Sequence, residues 1–194
     1  MSLLLIDNYD SFTYNLLQLV RERGCMDVEV IKYGEVNTEI IDRFDKILIS
    51  PGPGIPSDFP NLEKWVREFE STKSILGICL GHDAIALAFS GSMRQLEQVS
   101  HGAMKKVEVI EKKEYLFKGL PKVFDGGLYH SWVVDENGFP KDLQITAKTI
   151  EGEIMALAHR KFDVHGLQFH PESIMTKFGG EIIENWLNGK KNHN

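Results

Sequence analysis

At 194 residues, with 42% hydrophobic and 26% charged residues, the chain has the size and composition of one well-filled α/β domain. A net charge of −6, with no basic cluster longer than a lysine pair such as Lys190-Lys191 near the tail, argues against nucleic acid as a partner. Two cysteines, Cys25 and Cys79, read as free thiols in a reducing, cytoplasmic setting, and the first apolar run, Leu3 to Ile6, is too short for a signal peptide or membrane span.

Leu3-Leu4-Leu5-Ile6, closed by Asp7, has the character of a first strand buried on both faces. Asp7-Asn8-Tyr9-Asp10-Ser11 follows as a polar loop. Asp10 or Ser11 can cap a helix whose apolar face is Leu16, Leu17, Leu19 and Val20 and whose stop is Gly24. Val28 to Ile31 reads as a second strand. A short helix capped by Asn37 or Thr38 runs through Phe44, and Lys46 to Ile49 is a third strand. Strand and helix alternate, so the sheet should be mostly parallel. Ser50-Pro51-Gly52-Pro53-Gly54 then falls at the C-terminal edge of a parallel strand, where such sheets bind ligands. Its glycines can bring backbone N–H groups close to a ligand, as half of an oxyanion hole requires; the same residues also make a rigid Pro/Gly turn. In the next helix Leu62, Trp65, Val66 and Phe69 form a core stripe.

Ile75-Leu76-Gly77-Ile78 leads straight into Cys79-Leu80-Gly81-His82, and Ala84, Ile85, Ala88 and Phe89 continue at helical spacing. This reads as a strand, a sharp turn and a helix with the thiol on the turn. It is the G-x-nucleophile-x-G elbow with Cys in place of Ser. Glycine at 77 and 81 removes side chains that would collide across so tight a turn. The sulfur stands at a helix N-terminus, where unpaired N–H groups and the helix dipole favour thiolate. The other reading of the same residues is a buried structural cysteine.

Past Phe89 the pattern changes. Lys105 to Ile110 alternates as a half-exposed strand does, and Leu143 to Ala147 and Ile154 to Leu157 are similar. These predict antiparallel additions to the same sheet, so residues 1–189 read as one domain and 190–194 as a polar tail. Asp163 to Phe169 is a further strand ending at His170-Pro171-Glu172, and the last helix buries Ile182, Ile183, Trp186 and Leu187.

A nucleophilic thiol needs a base, and the base needs an orienting group. Of seven histidines, His82 points away from the sulfur by helical phase, His101 and His130 lie in loop-like stretches, and His159, His165 and His193 have no acidic neighbour at useful spacing. His170 follows a strand, on the rim that also carries Cys79. Glu172, two residues on, can hold its imidazole. Cys79, His170 and Glu172 would form a triad; a solvated turn is the plainer reading of His-Pro-Glu alone. No C-x-x-C pair or helical H-x-x-x-H supports a zinc site.

Together these motifs resemble the class I, or triad, glutamine amidotransferases over nearly the whole chain. Asp7-Asn8-Tyr9-Asp10-Ser11-Phe12-Thr13-Tyr14-Asn15, Ser50 to Gly54, Tyr129-His130-Ser131 and Gln168 to Ser173 narrow the likeness to component II of anthranilate synthase and aminodeoxychorismate synthase. The resemblance implies a flavodoxin-like sheet with helices on both faces. It implies Cys79 as nucleophile, His170 as base and Glu172 as its orienter. Gly52, Pro53 and Gly54 would line the glutamine site. The N–H groups of Gly54 and Leu80 would form the oxyanion hole, and Ser131 and Trp132 would hold the backbone groups of glutamine. The implied partner is a chorismate-using synthase that receives the ammonia; no cofactor and no metal are expected. A subunit that binds the synthase without turning over glutamine, or a free-standing γ-glutamyl hydrolase, would share much of this pattern.

The sequence departs from the resemblance at three places. Asp83 stands where Gln usually contacts the substrate, Leu128 stands where Arg usually precedes the tyrosine, and the loop His101-Gly102-Ala103 lacks its usual Lys. A carboxylate at Asp83, one helical turn beyond Cys79, should raise the thiol pKa; pairing with the α-ammonium of glutamine is its other use.

Overall fold

The computed structural model of the chain describes residues 1–189, with residues 97–101 described by their backbone alone. The tail expected at 190–194 and the side chain of His101 lie outside the described residues. The first half builds strand β1 (Leu3–Asp7), helix α1 (Thr13–Glu22), β2 (Val28–Lys32), α2 (Thr38–Asp42), β3 (Lys46–Ile49), α3 (Asn61–Phe69), β4 (Ser74–Ile78) and α4 (Leu80–Ala88). The second half adds β5 (Met93–Val109), β6 (Val123–Val134), β7 (Leu143–Thr149), β8 (Ile154–His159), β9 (Val164–Leu167) and α5 (Gly179–Asn188).

All nine strands join one open sheet in the order β2-β1-β3-β4-β9-β8-β7-β5-β6. The five from β2 to β9 are parallel, and the rest are antiparallel additions. Alternation along β1 divides the core. Leu3 and Leu5 pack with Leu16, Leu17 and Val20 of α1 and Ile182, Ile183 and Trp186 of α5. Leu4 and Ile6 pack on the other face with Ile41 of α2, Leu62, Trp65, Val66 and Phe69 of α3, and Ile85 of α4. Helices therefore cover both faces, as the fully apolar parallel strands require. No helix among the described residues is long and apolar enough to cross a membrane.

The insertion of β9 beside β4 brings the site together. Gly77 faces Gly166 in register, Ile78 faces Leu167, and the Cys79 N–H donates to the Leu167 carbonyl at 2.7 Å. The strand ends at Leu167, two residues before the sequence expectation. Beyond Gln168, the His170 N–H turns to the Gly127 carbonyl of β6 at 2.9 Å and the chain leaves the β4 ladder. Helix α2 likewise ends at Asp42 and not at Phe44.

Strand β6 and the first half of β5 were not legible as strands. His130, expected in a loop, is a buried residue of β6, and the backbone of His101 belongs to β5. Gly126 and Gly127 interrupt the alternation that would mark β6, and close packing explains them. A Cβ at Gly126 would meet Val107 Cγ2 at 2.9 Å, and one at Gly127 would meet Ser173 Oγ at 2.8 Å.

Candidate active site

Cys79 caps α4 with φ 51° and ψ −102°, in the left-handed half of the map where a side chain is strained. Such a conformation costs about 1–3 kcal/mol and persists where the surroundings impose it. Here they do. A Cβ at Gly77 would run into the backbone of Gly81, and a Cβ at Gly81 would meet the Ile49 carbonyl oxygen of β3 at 2.9 Å. Glycine at both positions lets β3, β4 and α4 close around the turn.

The His-Pro-Glu turn arrives from β9. His170 Nδ1 and Glu172 Oε1 are 2.7 Å apart, with the Glu172 side chain fully buried. Thr176 Oγ1 donates to the His170 carbonyl at 2.6 Å and accepts from the Gly127 N–H at 3.0 Å, which ties the turn to β6. His170 Nε2 is buried and lies on the side of the ring away from Glu172. With Nδ1 committed to Glu172, Nε2 is the nitrogen left to exchange a proton.

The electrostatics correct one expectation. Burial pushes the Cys79 thiol up, the hydrogen bond and charge of His170 pull it down, and Asp83 and Asp10 push it up again; the net direction is upward. Cys79 is only 8% exposed, and desolvation is the largest of these influences, where the sequence expectation had rested on the helix N-terminus. His170 behaves oppositely. Burial disfavours its cation, but Cys79 and Glu172 overcome that and hold it up to about 10. The imidazolium and the thiolate therefore support one another, each favoured by the charge of the other. Asp83 is likewise only 5% exposed. Burial raises its carboxyl well above the usual range, against a hydrogen bond from Gln168. Burial therefore works against the carboxylate anticipated from the sequence.

These groups open onto a cavity of about 490 Å³ at the C-terminal edge of the parallel strands. Every sequence-predicted site residue but one lines it: Cys79, His170, Gly52, Pro53, Gly54, Leu80, Asp83, Ser131 and Trp132. Glu172 stands behind His170. Gly52 is wedged between Leu80 and Asn8, where a Cβ would meet Asn8 Cβ at 2.8 Å, and Gly54 takes φ 78°. The Asn8 N–H and Nδ2 donate to Ser50 Oγ and the Ser50 carbonyl, both at 2.9 Å, fixing the β1 loop to the Pro/Gly loop. The acidic side chains on the wall are Asp10 and Asp83, beside His130 and His170; among the described residues Lys and Arg do not line it. Such a wall suits a ligand that carries an ammonium group and a neutral amide.

Several wall residues escaped the sequence reading. Phe12, Gln95, Tyr129 and His130 line the cavity, and Gln168 Nε2 lies 3.9 Å from Cys79 Sγ. Phe12, Tyr129, His130 and Gln168 fall within the motifs that carry the resemblance, but only the pairing of β9 with β4 and of β5 with β6 reveals their direction. His82 is fully buried against Gly166, and burial lowers its pKa to about 3. His165 requires a correction. It does have acidic neighbours: Asp163 Oδ1 at 2.9 Å from Nε2 and Glu114 Oε1 at 3.2 Å from Nδ1. Asp163 lies two residues earlier, just before β9, and Glu114 arrives from a distant turn.

Residues 4–189 match the family model for glutamine amidotransferase class-I. Among curated relatives, anthranilate synthase component 2 of Lactococcus lactis is 44% identical, covering 96% of this chain and 93% of that protein. Aminodeoxychorismate/anthranilate synthase component 2 of Bacillus subtilis is 38% identical, covering 95% of each. Among solved structures, one from Thermoplasma acidophilum aligns with a TM-score of 0.85 at 24% identity, over 96% of this chain and 92% of that one. A Thermotoga maritima glutamine amidotransferase aligns with a TM-score of 0.73 at 16% identity, over 89% and 76%. The flavodoxin-like sheet is thus shared at the level of fold. The identities near 40% over full length carry the assignment further: the chain belongs to the class-I glutamine amidotransferases.

Proposed function

We propose that the chain is the glutaminase subunit of a two-component, chorismate-using synthase, with Cys79, His170 and Glu172 as its catalytic triad. The observation that carries this reading is a strained elbow cysteine sharing one cavity with an imidazole that Glu172 holds at 2.7 Å. The names of the Lactococcus and Bacillus relatives support the choice of partner, and the product is anthranilate or 4-amino-4-deoxychorismate.

The reaction begins from the thiolate–imidazolium pair. Cys79 Sγ attacks the side-chain carbonyl carbon of glutamine, and the N–H groups of Gly54 and Leu80 receive the oxyanion, often the largest electrostatic contribution in acyl transfer. His170 gives its Nε2 proton to the amide nitrogen. The C–N bond breaks, ammonia leaves, and a γ-glutamyl thioester remains. A water then loses a proton to His170 and attacks the thioester. The C–S bond breaks, glutamate departs, and the thiolate–imidazolium pair is restored. Asp83 and the polar wall at Ser131 and Trp132 face the α-ammonium and α-carboxylate of the substrate. Ammonia in neutral water is mostly protonated and no longer a nucleophile, so a docked synthase with a shielded path is part of the reading.

The test is alkylation of Cys79 by iodoacetamide with and without glutamine, alongside glutamate release by the chain alone and with its synthase. Protection by glutamine, with slow hydrolysis that the synthase accelerates, is the expected result. Alkylation without protection would make the chain a non-catalytic subunit. Full hydrolysis indifferent to any synthase would make it a free-standing γ-glutamyl hydrolase.

A further inference from the structure

Two aromatic rings close on the imidazole of His170. The Tyr129 ring centroid is 4.8 Å away with the planes at 64°, and the Phe12 centroid is 6.0 Å away at 75°. The two rings also meet each other at 5.3 Å. Steeply inclined pairs at these separations attract, more so when one ring is a cation. Glu172 fixes Nδ1, but a single hydrogen bond lets a ring pivot about it. Walls of ring atoms set the plane. Tyr129 is steadied in turn by Ser173 Oγ, 3.2 Å from its hydroxyl.

Phe12 has no role in the core. It is half-buried, it lines the catalytic cavity, and it belongs to neither hydrophobic cluster. The loop that carries it is held at many points. Tyr9 takes φ 63°, a left-handed conformation in a non-glycine residue. Its N–H donates to Asp7 Oδ1 at 2.9 Å, and its hydroxyl accepts from the Gly34 N–H at 3.1 Å. Thr13 Oγ1 donates to the same Asp7 oxygen at 2.9 Å, and the Phe12 N–H donates to Asp10 Oδ1 at 2.8 Å. A backbone strained at Tyr9 and tied on both sides marks a segment whose position matters more than its stability.

We propose that Phe12 is a positioning residue: carried on the pinned loop between β1 and α1, its ring completes with Tyr129 an aromatic clamp that orients the His170 imidazole toward Cys79. The proposal deepens the glutaminase reading above and rests on it for the substrate. The clamp works through His170, so its first consequence is on the thiolate. An imidazolium turned away from the sulfur no longer lowers the thiol pKa.

The experiment uses the full chain and two readouts. Iodoacetamide alkylation of Cys79 across pH reports the thiolate–imidazolium pair without any substrate, and steady-state glutamine hydrolysis reports kcat and KM. Phe12→Ala should slow alkylation at neutral pH and lower kcat by about tenfold each, with KM changed by less than about threefold, because it misorients a group without removing it. Phe12→Tyr, which keeps the ring, should rescue both to within about twofold. Tyr9→Phe loses only the hydroxyl to Gly34 and should slow both about two- to fivefold from the far end of the loop. Wild-type alkylation and kcat in Phe12→Ala would overturn the proposal, whatever happens to its unfolding temperature. Should Phe12→Ala fail to fold, Phe12→Leu replaces it, with an intermediate alkylation rate expected and a wild-type rate counting against the clamp. If alkylation follows Phe12 while no form of the protein hydrolyses glutamine, the substrate assignment fails and the clamp stands.

Discussion

His170 Nδ1 and Glu172 Oε1, two residues apart in the chain, stand 2.7 Å from each other in a site where the carboxylate side chain is wholly buried. That contact helps keep the imidazole charged against a burial that would neutralise it. Glu172→Gln keeps an acceptor for Nδ1–H and removes the charge. The His170 pKa should then fall from about 10, the imidazolium should weaken, and the onset of Cys79 alkylation should move to higher pH. Glutaminase kcat should drop by on the order of 10²-fold or more. An unchanged alkylation onset would show that Glu172 does not set the protonation of the pair.

In the proposed mechanism Cys79 is needed to release ammonia from glutamine and not to use it, so the two half-reactions should separate by mutation. In the complex with its synthase, Cys79→Ala should lose glutamine-dependent product to background while product formed from added ammonium salts stays near wild type. Loss of both would mean that the thiol is needed for assembly and not for chemistry.

Gly77 is the tightest point of the elbow, since a Cβ there would enter the Gly81 backbone. Gly77→Ala cannot be absorbed by a rotamer change and must push α4 away from β4. A loss of at least about 3 kcal/mol in urea unfolding is expected, with slower Cys79 alkylation in whatever folds. A variant within about 1 kcal/mol of wild type would mean that the elbow relaxes more easily than its packing implies.

The parallel half of the fold was legible chiefly because β1, β3 and β4 are apolar runs, a pattern set by burial on both faces. Cys79, His170 and Glu172 were legible because the elbow glycines and the two-residue His–Glu spacing are local. What was hidden depends on pairing between distant strands. Gly126 and Gly127 break the period of β6 since Val107 and Ser173 press on them, and Glu114 reaches His165 only across 51 positions of sequence. Asp83 does raise the thiol as its place one helical turn on suggests, but helix phase gives direction and not how completely water is excluded from either group.

The buried cluster at His165 predicts a pH window for stability. Burial alone would lower the His165 pKa, but Glu114 and Asp163 outweigh it and the net direction is up. A raised histidine pKa stabilises the fold fully below the unfolded value of ~6.5, and that contribution is lost as pH rises through the folded value. Asp163 is shifted the other way: burial opposes its charge, His165 overcomes this, and its contribution is present above ~3.9 and lost in acid. Tyr115, whose hydroxyl donates to Asp163 Oδ1 at 2.8 Å, joins the same group. His165→Asn should cost about 2–4 kcal/mol in urea unfolding near pH 6 and flatten the dependence between those limits. A variant whose stability ran parallel to wild type at every pH would remove His165 as its source.

Asp83 carries the most conditional prediction, because its effect on the thiol depends on its own proton. Its carboxyl is pushed up by burial, against the Gln168 hydrogen bond, and its charge in turn raises the Cys79 thiol. For a carboxyl with a raised folded pKa, the sign is the reverse of the usual one. The protonated fold is favoured, and stability is lost as pH climbs from the unfolded value of ~3.9 toward the folded one. Asp83→Asn keeps the size and removes the titration. It should therefore stabilise the protein increasingly as pH rises through that range, reaching about 1 kcal/mol or more at its upper end. It should leave Cys79 alkylation nearly unchanged where Asp83 is protonated and accelerate it where Asp83 would ionise. Asp83→Gln should do the same and, if Asp83 is not a partner for the α-ammonium, raise kcat/KM for glutamine at alkaline pH. The measurements are alkylation rates and glutaminase kinetics of the wild type and both variants across one pH series. A constant offset in alkylation at every pH would mean that Asp83 is ionised throughout. A fall in kcat/KM with unchanged alkylation would make Asp83 the residue that holds the substrate ammonium.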